Sequence, residues 1–282
     1  MPEQRDGASC SRCAVFLLAL SSVVADNARM CLIAFAWNHH PRWRLLLAGN
    51  RDEFHARPSA PLARWPAPPI IAGKDLEAGG TWLGVTDGGR CSVVTNVRDP
   101  RDPQVGRSRG WLALDYLGGS ADATAHAGAL LTTASDYRPF NLLTFDASTA
   151  FYLGNRPEPR AQAITPGVHG LSNADFNTPW PKTRALMQRM EAWLSHGDDD
   201  DFAPLFAALA DPHGYPDDQL PDTGIGLERE RWLSSAFISG ERYGTRASTV
   251  VAIGHDGRGV VVERRFGPFG REEGETAIPI GA

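Results

Sequence analysis

The sequence contains little cysteine, and its apolar runs are short. Four cysteines in 282 residues, at positions 10, 13, 31 and 91, are too few for a disulfide framework and indicate a reducing compartment. The longest apolar stretch, residues 14–25, is interrupted by Ser21 and Ser22, so it is too short to cross a bilayer as a helix. We therefore predict a cytoplasmic protein without a transmembrane segment.

Basic charge is also scarce. The 28 Lys and Arg residues are outnumbered by 33 Asp and Glu, which gives a net charge of −5, and lysine is rare. Nucleic acids and anionic membranes are bound through a basic face, and the scattered arginines form no such cluster, so we predict neither as a partner. With 42% hydrophobic and 22% charged residues, the composition is typical of a globular protein with an ample core.

Residues 1–29 differ from the rest of the chain. They begin with mixed charges, pass through the apolar stretch and return to polar residues at Asp26. Small residues before Asp26 would suit a signal peptide and export, although Glu3 and Asp6 stand where a positive segment is usual. The alternative is that translation starts at Met30. We expect residues 1–29 to be a leader outside the fold and residues 30–282 to form one domain.

From residue 30 onward, short apolar runs alternate with Gly, Pro, Asn and Asp, as in a folded domain. The predicted strands are Cys31–Trp37, Arg44–Ala48, Arg90–Asn96, Asn141–Phe145, Ala150–Gly154, Ala247–Gly254 and Gly259–Phe266. The predicted helices are Ser120–Ala134, Pro179–Ser195 and Phe202–Ala210. Because strands group at both ends with helices between them, we predict an α+β fold.

Polar residues at the ends of apolar runs are the candidates for chemistry, because side chains there can project from a rigid sheet. Neither a P-loop nor a GxGxxG motif follows a strand, and we predict no metal site. Four polar residues come directly after the second predicted strand: Asn50, Arg51, Asp52 and Glu53. They form either a turn whose charges pair with each other or a binding cluster.

Three further residues have two readings each. Asn96 ends a predicted strand and Asn173 follows a glycine-containing segment; each could close a turn or direct an amide N–H at an oxyanion. Arg246 precedes the strand Ala247–Gly254, where it could bind a carboxylate or form a surface ion pair of little value.

Cys31 is either a small buried hydrophobe of the first strand or a nucleophile. If Met30 starts the chain, its removal leaves Cys31 as the N-terminus. A terminal cysteine carries a thiol and, on the same residue, an α-amine of pKa about 8 that can act as general base. Such an enzyme needs no catalytic histidine.

These segments together resemble the NRDE family, also called the transport and Golgi organisation protein 2 family. The family name comes from Asn50, Arg51, Asp52 and Glu53. Matching segments run in order from residue 30 almost to the C-terminus: MCLIAF (30–35), AGNRDEFHARPSAP (48–61), GGTWLGV (79–85), VVTNVRDP (93–100), SRGWLALDYL (108–117), YRPFNLLTFD (137–146), GLSNADFNTPWPKT (170–183) and YGTRASTVV (243–251).

The family is similar in turn to N-terminal nucleophile hydrolases, and this resemblance implies a four-layer αββα sandwich. It also implies that Cys31 attacks an amide while its own amine moves the proton. Asn96 and Asn173 would steady the oxyanion, and Arg246 with Asp52 would orient the N-terminus. Those hydrolases carry Gly-Arg-Asn-x-Asp where this chain has Gly49-Asn50-Arg51-Asp52-Glu53, so the Arg and Asp positions differ.

Two functions follow from the resemblance. In the first, the protein is a cysteine hydrolase of a non-peptide C–N bond that needs no cofactor. In the second, it binds and passes on a hydrophobic ligand with a carboxylate, such as haem or an acyl chain, with Asn50, Arg51 and Glu53 among the ligand-binding residues. In both cases the expected partner is a small molecule.

Overall fold

The structure is a computed structural model that describes residues 30–102, 105–196 and 200–281. The predictions for residues 1–29, a leader or a signal peptide, lie outside these residues. The strands are β1 (Cys31–Trp37), β2 (Trp43–Phe54), β3 (Ser59–Arg64), β4 (Ile71–Asp75), β5 (Leu83–Val85), β6 (Cys91–Asn96), β7 (Phe140–Phe145), β8 (Ala150–Gly154), β9 (Arg160–Ala163), β10 (Gly167–Leu171), β11 (Tyr243–Gly254), β12 (Gly259–Phe266) and β13 (Glu272–Ile280). The α-helices are α1 (Gly110–Gly118), α2 (Ala123–Leu131), α3 (Pro181–Leu194), α4 (Ala203–Leu209) and α5 (Leu227–Trp232).

The described strands form two antiparallel sheets. The first has the order β10-β1-β2-β11-β12-β13 and the second runs β3-β4-β5-β6-β7-β8-β9. The sheets pack face to face over a core that includes Ile33, Phe35 and Leu47 of the first sheet and Val93 and Phe145 of the second. Along each strand, the residues that face this core alternate with residues that face the outer side of the sheet, as expected for a strand that is covered on both sides.

Helices cover the two outer faces. Leu32, Ala34 and Leu46 of the first sheet pack against α3 and α4, and Val94 and Leu142 of the second sheet pack against α1 and α2. The layers therefore follow the order helix, sheet, sheet, helix. This confirms the α+β class and the αββα sandwich that the resemblance predicted.

The predicted elements are present, and their bounds differ in ways that matter for the site. The first two predicted strands pair antiparallel as β1 and β2, and the last two pair antiparallel as β11 and β12. The helix predicted from Ser120 begins at Ala123, because Asp122 rather than Ser120 accepts a hydrogen bond from the N–H of Ala125 and caps it. Helix α1 was not predicted, since its residues Gly110–Gly118 have little polar periodicity.

Strand β2 extends beyond its predicted end at Ala48 and continues to Phe54. Asn50–Glu53 are thus part of the strand and not a turn after it. Successive side chains of a strand point to opposite faces of the sheet, so this extension assigns the four residues to two different environments. Strand β11 likewise begins at Tyr243 and contains Arg246 in its interior.

Candidate functional site

A cavity of about 280 Å³ opens between the two sheets at the start of β1. Its walls come from the ends of strands in both sheets and from the N-terminus of α1. Of the predicted site residues, it is lined by Cys31, Arg51, Asp52, Glu53, Asn96 and Arg246. The fold thus brings together residues that are up to 215 positions apart in the sequence, because β1, β2 and β11 are neighbours in one sheet.

Cys31 is the first residue of β1, and it faces the space between the sheets, as do Ile33 and Phe35 further along the strand. It is paired across the ladder with Arg51. Burial and the nearby Asp52 carboxylate raise the pKa of the Cys31 thiol to about 12, while Arg51 acts in the opposite direction. With Met30 attached, the thiol is therefore protonated at neutral pH and a poor nucleophile.

The main chain of Cys31 is held by the segment after β10. Its N–H donates to Oδ1 of Asn173 at 3.2 Å, and its carbonyl accepts from Oγ of Ser172 at 2.8 Å. The side-chain amide of Asn173 in turn donates to the carbonyl oxygen of Asn96 at 2.9 Å. Asn173 therefore contacts the Cys31 nitrogen through its oxygen, which favours positioning of an amine over the oxyanion role predicted for it.

Asn50 requires a correction. Its side chain is fully buried on the helix-covered face of the first sheet. It donates to the carbonyl oxygens of Leu209 and Ala236, both at 2.8 Å, and accepts from Oγ of Ser248 at 2.6 Å. The prediction that Asn50 binds ligand is wrong, because the extended strand turns this side chain away from the cavity and toward α4.

Arg51 and Glu53 face the cavity, where they belong to a network of charges. Arg51 lies 3.6 Å from Glu53, and Glu53 lies 3.7 Å from Arg57. Arg57 also pairs with Asp75 at 2.8 Å. These pairs link β2 to β4 across the cavity mouth, so both readings of the sequence hold in part: the charges pair with each other, and they also line a cleft.

Asp52 lies at the boundary between the cavity and the helix layer. Its Oδ1 accepts a hydrogen bond from Oγ1 of Thr245 at 2.6 Å, and its Oδ2 is buried with no hydrogen-bond partner among the described residues. Its main-chain N–H donates to the carbonyl oxygen of Met30 at 3.1 Å. A buried carboxylate oxygen of this kind is costly unless a donor reaches it.

Arg246 occupies a bulge of β11 between Thr245 and Ala247. Its Nη1 donates to the carbonyl oxygens of Phe54, His55 and Arg57 at 3.0 to 3.3 Å. The bulge turns the side chain into the cavity wall, where it supports the connection from β2 to β3. These three hydrogen bonds go to main-chain carbonyls of residues 54–57, and Thr245 binds the Asp52 carboxylate, so a joint role of Arg246 and Asp52 in orienting the N-terminus stays a prediction.

Sequence reasoning missed three residues near Cys31: Ser172, whose hydroxyl donates to the Cys31 carbonyl, and Lys182 and Tyr243, which interact electrostatically with its thiol. Lys182 is buried at the start of α3, and its Nζ donates to the carbonyl oxygen of Leu233 at 2.8 Å. The hydroxyl of Tyr243 accepts a hydrogen bond from the N–H of Met30 at 2.6 Å. All three lie in the matched segments 170–183 and 243–251, but nothing in their spacing indicated that they would meet.

Lys182 and Asp52 influence each other's ionisation. Burial lowers the pKa of Lys182 to about 7, against the attraction of Asp52. Burial raises the pKa of Asp52 to about 6, against the attraction of Lys182 and the hydrogen bond from Thr245. In each case the interior favours the neutral form, so protons are easily gained or lost beside Cys31 at neutral pH.

Lys182 predicts a pH dependence of stability. Between pH 7 and 9 the folded chain binds fewer protons at Lys182 than the unfolded chain, whose lysine titrates near 10.5, so the free energy of unfolding rises with pH. We expect this rise to be lost in Lys182→Met, as measured by urea unfolding. The matched control is Lys74→Met, which changes the chain's other lysine, an exposed residue. An unaltered slope in Lys182→Met would contradict the assignment.

Two further points concern membranes and metal ions in the part of the chain that the structure describes. No helix there is long and apolar enough to span a bilayer. In the same residues, no group of three or more His, Cys, Asp or Glu side chains is arranged to hold a metal ion. Cys31 and Cys91 are both free thiols.

Solved structures with a similar fold include two amide hydrolases. A Caenorhabditis elegans ortholog of N-acylethanolamine-hydrolyzing acid amidase aligns with a TM-score of 0.45 at 10% identity, over 78% of this chain and 92% of that chain. A mutant conjugated bile acid hydrolase from Clostridium perfringens aligns with a TM-score of 0.49 at 7% identity, over 88% of this chain and 92% of that chain.

Sequence comparison identifies much nearer relatives. The human Transport and Golgi organization protein 2 homolog is 34% identical over 258 residues, which cover 83% of this chain and 92% of the relative. The mouse homolog is 32% identical with the same coverage, and the Drosophila melanogaster protein is 28% identical over 252 residues, 79% of this chain and 88% of the relative. The family described as Transport and Golgi organisation 2 matches residues 30–268. The chain therefore belongs to the Transport and Golgi organisation 2 family.

Proposed function

We propose that this protein is a cysteine hydrolase of a non-peptide amide bond, and that its working form begins at Cys31. One observation carries the proposal: Cys31 lines the inter-sheet cavity, and its main-chain nitrogen is held by Asn173. A nucleophile and a base on one residue are what such an enzyme requires. The small-molecule size of the cavity, about 280 Å³, supports a ligand of modest dimensions.

The reaction has two halves. In the first, the α-amine of Cys31 takes the thiol proton while Sγ bonds to the amide carbon, which leaves a negative charge on the amide oxygen. Collapse of this intermediate breaks the C–N bond, and the ammonium of Cys31 returns the proton to the departing amine. In the second, the amine takes a proton from water, whose oxygen attacks the thioester, and the carboxylic acid and the thiol are released.

The surrounding residues would assist in different ways. Asn173 fixes the direction of the α-amine through its Oδ1, and Asp52 stabilises the ammonium that forms after proton transfer. Asn96 stands at the cavity wall, where an amide N–H can stabilise the oxyanion. Arg246 shapes the cavity by holding the main chain of residues 54–57.

Two substitutions of Asn173 should shift the acid limb of the pH–rate profile in opposite directions. Asn173→Ala removes the acceptor for the α-amine, so kcat/KM should fall about 10- to 100-fold, and the acid limb of the pH–rate profile should move to lower pH because the ammonium is less stabilised. Asn173→Asp places a negative charge at the same position, so the limb should move to higher pH. Hydrolysis assayed from pH 5 to 9 measures both shifts, and equal profiles in the two variants would argue against contact with the amine.

The proposed function is tested by measuring the intact mass and the amide hydrolysis of one protein preparation. Intact mass of the protein from its own cells should show Cys31 as the first residue. The same preparation should release amine from at least one member of a panel of N-acyl anilides and N-acyl ethanolamines. A preparation that starts at Cys31 and hydrolyses none of them would speak against the proposal.

A second candidate function is the binding and transfer of a hydrophobic carboxylate such as haem or a fatty acid. It is favoured by arginines in the cavity wall: Arg51, Arg57, Arg109, Arg246 and Arg265. Guanidinium groups bind carboxylates with two parallel hydrogen bonds. A change in the haem absorption spectrum that is unaffected by alkylation of Cys31 would favour this function, and an unchanged spectrum would count against haem.

A further inference from the structure

The Met30 side chain fills a buried space directly beside the inter-sheet cavity, which Met30 itself helps to line. Its side chain is fully buried and packs against Trp180, Leu233, Ile238 and Tyr243. The structure thus contains a space that is shaped around one unbranched, apolar chain. If the working form begins at Cys31, as proposed above, this space is vacated when Met30 leaves. We call it the Met30 pocket, with these four residues as its walls.

The main chain of Met30 is also held at both of its polar groups. Its carbonyl oxygen accepts from the N–H of Asp52 at 3.1 Å, and its own N–H donates to the hydroxyl of Tyr243 at 2.6 Å. The same N–H of Asp52 also reaches the Cys31 thiol, whose pKa it lowers. One fixed donor therefore lies beside both a carbonyl oxygen and the candidate nucleophile.

The Met30 carbonyl shows where a carbonyl can sit within reach of the thiol. The carbonyl carbon is bonded to the nitrogen of Cys31, and the Cα and Cβ of that residue are the remaining atoms between the carbon and Sγ. Once the bond to Met30 is gone, a ligand carbonyl that lies just outward of this place, at van der Waals contact with the freed amine, is next to both the amine and the thiol. Its oxygen would take over the hydrogen bond from Asp52, as an oxyanion donor requires.

The far end of the pocket is closed by a buried ion pair. The Arg98 guanidinium contacts the sulfur of Met30 and pairs with Glu230, and the side chains of Arg98 and Glu230 are only 1% and 4% exposed. Glu230 is further fixed by a hydrogen bond from the N–H of Thr223 at 3.0 Å. Separating such a pair leaves an uncompensated buried charge, so a longer chain cannot extend past it without a large cost.

We propose that the vacated Met30 pocket is the acyl subsite of the enzyme, that the main-chain N–H of Asp52 is the oxyanion donor, and that the substrate carries an unbranched acyl group of hexanoyl length. The hexanoyl length is inferred from Met30, whose unbranched chain from carbonyl carbon to terminal methyl has about six atoms. The acyl group enters this pocket, and the amine part of the substrate lies in the inter-sheet cavity. This inference rests on the proposed function, which it makes specific.

The test measures binding separately from turnover. Straight-chain primary amides from acetamide to decanamide are titrated by calorimetry into the chain that begins at position 31 and carries Cys31→Ala, which keeps the α-amine but cannot form the thioester. Affinity should rise about fourfold per methylene, as expected for burial of apolar surface, reach a maximum at hexanamide and fall beyond it. The chain that retains Met30 should show none of this length dependence, because its own side chain fills the pocket.

A pair of matched variants examines the location. Ala174 packs against the Met30 pocket, and Ala60 lines the inter-sheet cavity. Ala174→Leu should move the optimum to butanamide or shorter, whereas Ala60→Leu should leave the optimum at hexanamide. Affinity that keeps rising to decanamide, or equal length dependence with Met30 retained, would overturn the inference.

The same amides separate the two proposals. Hexanamide binding without hydrolysis of any N-hexanoyl amide would preserve the subsite and reject the hydrolase. If hydrolysis occurs and its rate depends neither on acyl length nor on the Ala174→Leu change, the hydrolase proposal stands and the acyl-subsite proposal is rejected. Should neither binding nor hydrolysis occur, both proposals fail.

Discussion

Cys31→Ala should abolish amide hydrolysis, with kcat/KM falling by about a thousandfold or more. The variant keeps the α-amine but has no Sγ to form the thioester, so neither half of the reaction can proceed. The substitution also removes little volume from a site beside an open cavity, and the free energy of unfolding should change by about 1 kcal/mol or less. A loss of activity would therefore come from the missing nucleophile and not from unfolding.

The structure supplies a matched control for this substitution. Cys91 is a buried thiol of β6 in the core between the sheets, and burial raises its pKa to about 12. Cys91→Ala should retain activity. Cys31→Ser should retain a small residual rate at most, since its hydroxyl is a weaker nucleophile than a thiol. A Cys31→Ala protein with more than a tenth of the original rate would reject the assigned nucleophile.

A chain that keeps Met30 in front of Cys31 should be inactive, although every side chain of the site is present. The Cys31 nitrogen is then an amide, which cannot act as a base, and the thiol has a pKa of about 12. A rise from the ordinary value of 9.0 to about 12 lowers the thiolate fraction about a thousandfold at neutral pH. The Met30 carbonyl also occupies the N–H of Asp52.

Alkylation by iodoacetamide, followed by mass spectrometry, measures this difference independently of any substrate. In the folded chain that retains Met30, both Cys31 and Cys91 should resist labelling at pH 7.5. In the chain that begins at Cys31, that residue alone of the two should react, and unfolding in urea should expose both. Rapid labelling of Cys31 with Met30 in place, or turnover by that chain, would remove the basis for an N-terminal nucleophile.

The sequence and the structure differ most instructively at Asn50–Glu53. The apolar run Arg44–Ala48 ends where polar residues begin, so the sequence predicted that the strand ended there too. The structure continues β2 to Phe54, because β1 pairs with it as far as Arg51 and β11 pairs with it as far as Phe54. Pairing on both sides stabilises a strand even where its residues are polar, and that pairing is not visible in the local pattern.

The extension of β2 decides which of these side chains face the cavity. Because side chains alternate between the two faces of the extended strand, Arg51 and Glu53 face the cavity. Asn50 instead donates to the carbonyl oxygens of Leu209 and Ala236. Arg246 lines the cavity, but its contacts were not predicted from the sequence, because the bulge that directs its side chain depends on the register between β2 and β11. Register is a property of two strands, and one strand's sequence does not report it.

The sequence alone determined the class of fold, the strands near both ends of the domain, the family resemblance and Cys31 as the candidate nucleophile. Those features depend on local periodicity or on matched segments, which a single chain displays directly. Only the tertiary structure decided that Asn173, Lys182 and Tyr243 lie near Cys31, and that the side chain of Met30 is buried. These contacts join residues more than 140 positions apart, and they exist because two sheets and their helices pack into one sandwich.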